Sequence, residues 1–402
     1  MRRRLIGRLV VAAVAGSAVL VGFVPGAAGF TSWSIATTPN PDVWGNIYKG
    51  ISARTATDVW AVGIGATTTN NATLAAHWNG TSWTTVKTPN PQSNCQDGNI
   101  QWTGQPLNGV AAVSANDAWA VGTRCYQLKT LIERWNGTAW NIVSSPSFNT
   151  GGDGIVNVLS GVAAISSSNV WAVGTHTAAN GAYLTLIEHW NGTSWSVVSS
   201  PSPSAANNDL TAVSGSSASD VWAVGWTLDG SVLIEHYDGS SWSVVSNPAV
   251  PSGSVLYGVK AISSTNAWAV GYQPGPTGAL LTLVLHWDGT AWSVVPSPNM
   301  STEYSSSNIL TGVASISAND VWAVGMFENE STDYHQHRTL TLHWDGVAWS
   351  TVTSPTPGQS GELTAVAALS TGQVWTAGYY SNYDINIYDG TYTLPQTLVL
   401  SG

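Results

Sequence analysis

The densest group of ionisable side chains in this 402-residue sequence is FENESTDYHQHR, Phe327 to Arg338. Its His335 and His337 stand two apart, a spacing that puts both rings on one side of an extended segment. With a carboxylate from Glu328, Glu330 or Asp333 the pair is a candidate metal site. The competing reading is a solvated polar loop, and no cofactor is called for elsewhere. Aromatic residues form the second candidate. Trp226, Tyr272, Tyr379 and Tyr380 follow directly on a recurring glycine, and Trp44, Trp102, Tyr126, Tyr183, Tyr304 and Tyr334 fall in nearby loops. Flat rings beside Asn and Asp can stack on the apolar faces of sugars while the polar groups bind hydroxyls, or they can anchor loops by packing. Trp226, Tyr272, Tyr334, Tyr379 and Tyr380 are taken as the candidate ligand-binding set.

Catalytic patterns are otherwise missing. No phosphate loop or zinc motif occurs, and serines are too numerous for a nucleophile to be assigned. The arginine cluster that would hold a carboxylate substrate is not available from Arg54, Arg124, Arg134 and Arg338. No catalytic residue is named. Cys95 and Cys125 are an even pair in a chain expected to be exported, which favours a disulfide. Closing a loop of about 30 residues, it would contribute roughly 3.5 kcal/mol as a staple.

The elements that must carry these residues are repeats. WAVG or a close relative begins at Trp60, Trp119, Trp171, Trp222, Trp268, Trp322 and Trp375, the last as WTAG. In the third copy four short apolar segments follow one another: GVAAIS (161–166), VWAVGT (170–175), TLIEHW (185–190) and WSVVSS (195–200), here called a to d. None is long enough for a helix, and all are bounded by turn residues, so they read as strands. Asn191-Gly192 lies between c and d, with Asn-Gly or Asp-Gly at the same place in five other copies; such pairs tolerate the positive φ of a tight hairpin, so c and d pair antiparallel. The step from the c-strand aromatic to the d-strand Trp is always five residues, as in Trp190 to Trp195.

Strand b is apolar on both faces, as in a sheet covered on both sides, and strand a is built of small residues suited to a crowded axis. Four-stranded units arranged radially make a β-propeller. The expected fold is all-β: seven blades of four antiparallel strands, at about 47–91, 107–146, 159–201, 210–248, 256–298, 310–355 and 363–402. Each buried Trp removes about 200 Å² from water, worth roughly 5 kcal/mol at most, so the recurring Trp is structural first. His77, His189, His236, His286 and His343 share one repeat position and are read as structural too. Glu133, Glu188 and Glu235 share another and are expected to satisfy blade edges. The seventh unit ends in TLVLSG (397–402) without a d strand, and FTSWSIATTPNP (30–41) matches GTSWTTVKTPNP (80–91) of the first. The N-terminal strand 30–41 is therefore expected to complete the last blade and remove an open edge. A rival assigns the last blade's third strand to residues 385–394.

The WAVG glycine and the aromatic-to-Trp spacing across HWNGTSW resemble the secreted Kelch and Asp-box propeller families. Here a single Gly, such as Gly174, stands where Kelch repeats have a doublet, and the hairpin is shorter. The resemblance implies a fold and no activity.

In a propeller the a–b and c–d turns share one face, and the b–c and d–a connections share the other. The b–c step, from Trp to c-strand aromatic, varies from 15 to 22 residues, and the step from d Trp to the next b Trp from 26 to 36. Variation is concentrated on the second face, where function in repeat proteins usually sits. Arg2, Arg3, Arg4 and Arg8, the apolar run Leu9 to Val24 and small residues to Gly29 read as a secretory signal peptide, 1–29, cut after Ala28 or Gly29. Removing it leaves eight basic residues against 22 acidic, a net charge of about −14, which argues against nucleic-acid or membrane binding. The expectation is a secreted, monomeric, non-catalytic binding module, domain 30–402, for a glycan or protein ligand. The alternatives are an extracellular carbohydrate-active or metal-assisted enzyme and a structural envelope protein.

Overall fold

The WAVG strands determine the layout, because side chains apolar on both faces must be covered on both faces. A computed structural model describes residues 32–42, 45–66, 71–90, 106–124, 129–148, 156–328, 336–382 and 394–402, all within the unit Thr31–Gly402. Everything regular in them is strand. The two-residue β1 (Ser34–Ile35) is followed by a sheet of β2 (Asn46–Thr55), β3 (Asp58–Ala66), β4 (Asn71–Trp78) and β5 (Trp83–Thr85). The next comprises β6 (Leu107–Ser114), β7 (Asp117–Arg124), β8 (Lys129–Trp135) and β9 (Trp140–Ile142), and then come β10 (Asn157–Ser166), β11 (Asn169–Thr177), β12 (Tyr183–Trp190) and β13 (Trp195–Val197). A fourth holds β14 (Asn208–Ser217), β15 (Asp220–Thr227), β16 (Val232–Tyr237) and β17 (Trp242–Val244).

β18 (Val255–Ser263), β19 (Asn266–Pro274), β20 (Leu280–Trp287) and β21 (Trp292–Val294) follow the same plan. They are joined by one parallel pair, Leu280 with Ser307, to β22 (Ser307–Ser317), β23 (Asp320–Glu328), β24 (His337–Trp344) and β25 (Trp349–Thr351). The chain ends with β26 (Ser360–Ala368), β27 (Val374–Ser381) and β28 (Gln396–Ser401), and β1 pairs antiparallel with β28 through Ser34–Ser401 and Ile35–Leu400. Within every unit the pairing is antiparallel in a–b–c–d order. This is a β-propeller.

The core lies between sheets. Trp171, Val173 and Ile187 of one sheet pack on Leu210, Val221, Ala223 and Trp242 of the next, and the same contact repeats around the molecule. Trp222, 1% exposed, lies 5.0 Å from the Trp287 ring and edge-on to Trp292 at 5.2 Å, and its Nε1 donates to Asp220 Oδ1 at 3.0 Å. Trp222→Ala is expected to cost about 3–5 kcal/mol by opening a cavity that two rigid sheets cannot close, measured as a lower urea midpoint with the slope kept.

The repeat-position histidines carry this packing. His236 lies 4.2 Å from the Trp222 ring and hydrogen-bonds Asp220 Oδ1 at 2.8 Å through Nε2. His189 does the same between Trp171 and Asn169, and in the second unit Arg134 takes the position, over Trp119 and onto Asp117. The c–d turns differ in detail from a two-residue hairpin. Asn191 to Ser194 form a four-residue loop in which only Gly192 takes a positive φ, +97°. Asn191 instead accepts the amides of Thr193 and Ser194 through Oδ1, the locally bonded turn that Asn and Asp favour.

Each innermost strand carries one β-bulge near its start. In β10 it falls between Leu159 and Gly161 and leaves Ser160 unmatched. Its counterparts include Asn108, Thr211, Thr311 and Thr364, whose side chains donate across to the next innermost strand: Asn108 to Leu159 O, Thr211 to Leu256 O, Thr311 to Leu363 O and Thr364 to Tyr48 O, at 2.7–2.9 Å. Each such bond contributes about 1 kcal/mol.

Candidate functional site

The bulges re-aim one residue per innermost strand. With their two successors, these residues line a single cavity of about 220 Å³ drawn from β2, β6, β10, β14, β18, β22 and β26. Two residues before the bulge, where the b–c and d–a connections meet it, β14 and β26 carry Asp209 and Glu362, whereas their counterparts Ile47, Val158, Val255 and Ile309 are apolar. Strand register sets Asp209 opposite Trp226, Val255 opposite Tyr272, Glu362 opposite Tyr379 and Gly361 opposite Tyr380. Four of the five candidate aromatics thus stand at the same end of the sheets, and all four are half-buried.

They form two groups. In the first, Tyr272 lies 6.0 Å from Tyr257, the bulged residue of β18. Burial pushes the Tyr257 hydroxyl up to about 12, with Tyr272 and Asp209 adding to it, and burial raises the Asp209 carboxyl to about 6. In the second, Glu362 Oε1 lies 2.5 Å from His337 Nδ1, and Glu328 Oε2 lies 4.0 Å from His337 Nε2. Ser360 Oγ accepts the His337 amide. Tyr379 is tied to Glu362, and burial followed by that carboxylate holds its hydroxyl well above the tyrosine range. Tyr380 donates to Gln396 Oε1 at 2.5 Å.

The arrangement presents aromatic faces flanked by acceptors, suited to apolar groups and hydrogen-bond donors together. His337 stands between two carboxylates, and among the described residues no cluster of three His, Cys, Asp or Glu is placed to hold a metal. Tyr334 and His335 lie outside the described residues, as do Cys95, Cys125, Trp44, Trp102 and Tyr126. Tyr304 is exposed, in a loop packed on Gly278.

Sequence reading missed Tyr257, Asp209, Glu362 and Lys49. Their signal was departure from the repeat: a ring or a charge in an innermost strand whose other copies carry Thr, Ser, Asn or an aliphatic residue. It also misread Glu133, Glu188 and Glu235. They satisfy no blade edge; they are fully buried between sheets with neither carboxyl oxygen hydrogen-bonded among the described residues, and burial pushes each up to about 8. A larger cavity, about 610 Å³, opens elsewhere along β24 between Phe327, Leu340, Met300 and Arg338. Its one guanidinium is held by Gln336.

No protein-family model matches the chain, and no curated protein matches its sequence. Among solved structures it is similar to YCF48 bound to D1 peptide, at 13% identity and a TM-score of 0.55 over 93% of this chain and 98% of that one. It is also similar to YCF48 from Cyanidioschyzon merolae, at 13% identity and 0.51 over 92% and 98%. At such identity the likeness concerns the fold alone.

Proposed function

We propose that the protein is a secreted, non-catalytic binding module whose b–c and d–a face takes a segment of a partner protein. The observation that carries this reading is the set of half-buried rings, Trp226, Tyr272 and Tyr379, framed by the carboxyls of Asp209 and Glu362. Interfaces concentrate binding energy in such aromatic residues. Acidic groups beside them favour a segment with Lys or Arg next to apolar side chains. That a similar propeller has been solved with a peptide supports a protein ligand over a glycan.

The scaffold in this reading is a seven-bladed ring of the Kelch and Asp-box kind, exported by the 1–29 leader. Its last blade takes β1 as outer strand; support comes from the β1–β28 pairing, from the Thr364 bond to Tyr48 O across 316 residues and from the cavity lined by seven innermost strands. A Cys95–Cys125 disulfide staples its longest connection.

The test is parallel peptide and glycan arrays probed with the purified mature chain and with a Trp226→Ala, Tyr272→Ala double variant. Peptide binding that weakens at least about thirtyfold in the folded variant, the loss of one 2 kcal/mol hot spot, is the expected result. Binding to glycans alone would overturn the protein reading, and unchanged peptide binding would move the site off this face.

A further inference from the structure

The bulge position in β2 holds Lys49. At this level Asn108, Thr211, Thr311 and Thr364 spend their donors on the neighbouring strand, so four of the seven positions are neutral and internally satisfied. Lys49 lines the same cavity but makes no hydrogen bond or ion pair among the described residues. Three residues beyond the corresponding position of β18 stands Lys260, likewise without an ion pair among the described residues. The chain has only four lysines, Lys49, Lys87, Lys129 and Lys260, so half of them sit on innermost strands of a strongly acidic protein.

An ammonium withdrawn from water without a partner is costly. The cost shows as lowered affinity of both lysines for their protons, with burial as the sole cause. Threonine, found at the Lys49 position in three other strands, would avoid it. The two carboxyls at the mouth end of the innermost strands are spent elsewhere: Glu362 is engaged by His337 and Tyr379, and Asp209 lies against Tyr257.

We infer that the cavity is a binding site for a small oxyanion, a carboxylate or phosphate-type group, held by the Lys49 ammonium. A volume of about 220 Å³ admits such a group and excludes a drug-sized ligand, which needs roughly 300 Å³ or more. The anion supplies the charge-assisted hydrogen bonds that the wall does not. The site shares Tyr257 with the aromatic groups of the peptide-binding reading but uses neither Trp226 nor Tyr272.

Thermal unfolding at fixed ionic strength, titrated separately with inorganic phosphate and with acetate, tests it. The expected result is a saturable rise in melting temperature, as for any ligand bound by the native state alone. In Lys49→Thr the half-saturating concentration rises at least about tenfold, the loss of one hydrogen bond to a charged group. Lys49→Arg retains the response, and the exposed Lys87→Thr responds as the parent does. Thr already fills this position in β14, β22 and β26, so the variant keeps a side chain the fold accepts. A peptide with a free C-terminal carboxylate that displaces phosphate, where its amide does not, identifies a chain end as the source; displacement by neither identifies a free ion. A rise that does not saturate, one equal in Lys49→Thr and the parent, or none at all would overturn the site.

Discussion

The melting temperature of the protein should fall steadily from pH 5 to pH 8, and replacing Glu133, Glu188 and Glu235 together by Leu should flatten that profile. The three carboxyls are fully buried between sheets, without hydrogen-bond partners among the described residues, and burial pushes each up to about 8 in the native state against an ordinary 4.5. Below 4.5 native and unfolded chains are both protonated, and the groups are neutral in either. Between 4.5 and 8 the unfolded chain releases protons that the native state retains, so stability is lost as pH rises, by up to about 1.4 kcal/mol per pH unit for each group. Above 8 the native carboxyls ionise and the slope levels off. Leu285 and Leu342 occupy the same position in β20 and β24, opposite Ala269 and Ala323 as Glu188 is opposite Ala172, so the packing accepts the substitution. The triple variant should therefore gain on the parent as pH rises, with a far larger advantage at pH 8 than at pH 4.5. A parental profile already flat across this range would show that the carboxyls are solvated or paired, and the account of them would fail.

These glutamates also show where sequence reading stops. Period, turn chemistry and hairpin spacing made the four-stranded unit legible, because each reports on local backbone geometry repeated many times. The roles of His236 and Trp222 were legible for the same reason: a residue recurring at one position must serve the repeat. Recurrence does not say on which side of a strand a residue lies relative to its neighbours in space. Glu188 shares one side of β12 with Leu186 and Trp190, and its burial there follows from the neighbouring sheet, which local sequence does not encode. The candidate site was half legible. Trp226, Tyr272, Tyr379 and Tyr380 were found because they follow the WAVG glycine. Tyr257, Asp209, Glu362 and Lys49 were not, since they come from innermost strands and meet the aromatics only through register and the bulge.

The WAVG glycine itself carries the second large expected effect. Gly174→Ala should lower stability by more than about 3 kcal/mol or prevent folding altogether, whereas Gly109→Ala should change it by less than about 1 kcal/mol. Gly174 pairs with Leu159 immediately beside the bulge of β10, and there the strand bends toward β11. A Cβ on Gly174 would lie 1.9 Å from Val158 O and 2.8 Å from its carbonyl carbon. These are backbone atoms of a paired strand, so no rotamer relieves the overlap. The same approach, 1.8–1.9 Å, recurs at Gly63, Gly122, Gly225, Gly271, Gly325 and Gly378. That explains why a motif tolerating Thr376 for Ala and Ala377 for Val never changes its glycine. Overpacking a core side chain costs about 1–3 kcal/mol because neighbours can yield; here the only relief is to separate β10 from β11 and move the residues that line the cavity. At Gly109 the nearest atom to an added Cβ is Val162 N at 3.4 Å, an ordinary contact. The comparison holds residue type and substitution constant and sets a 1.9 Å approach against a 3.4 Å one. Urea unfolding of the two variants side by side is the measurement. Equal losses would mean that the intolerance belongs to glycine in these strands generally and that the carbonyl approach does not set it.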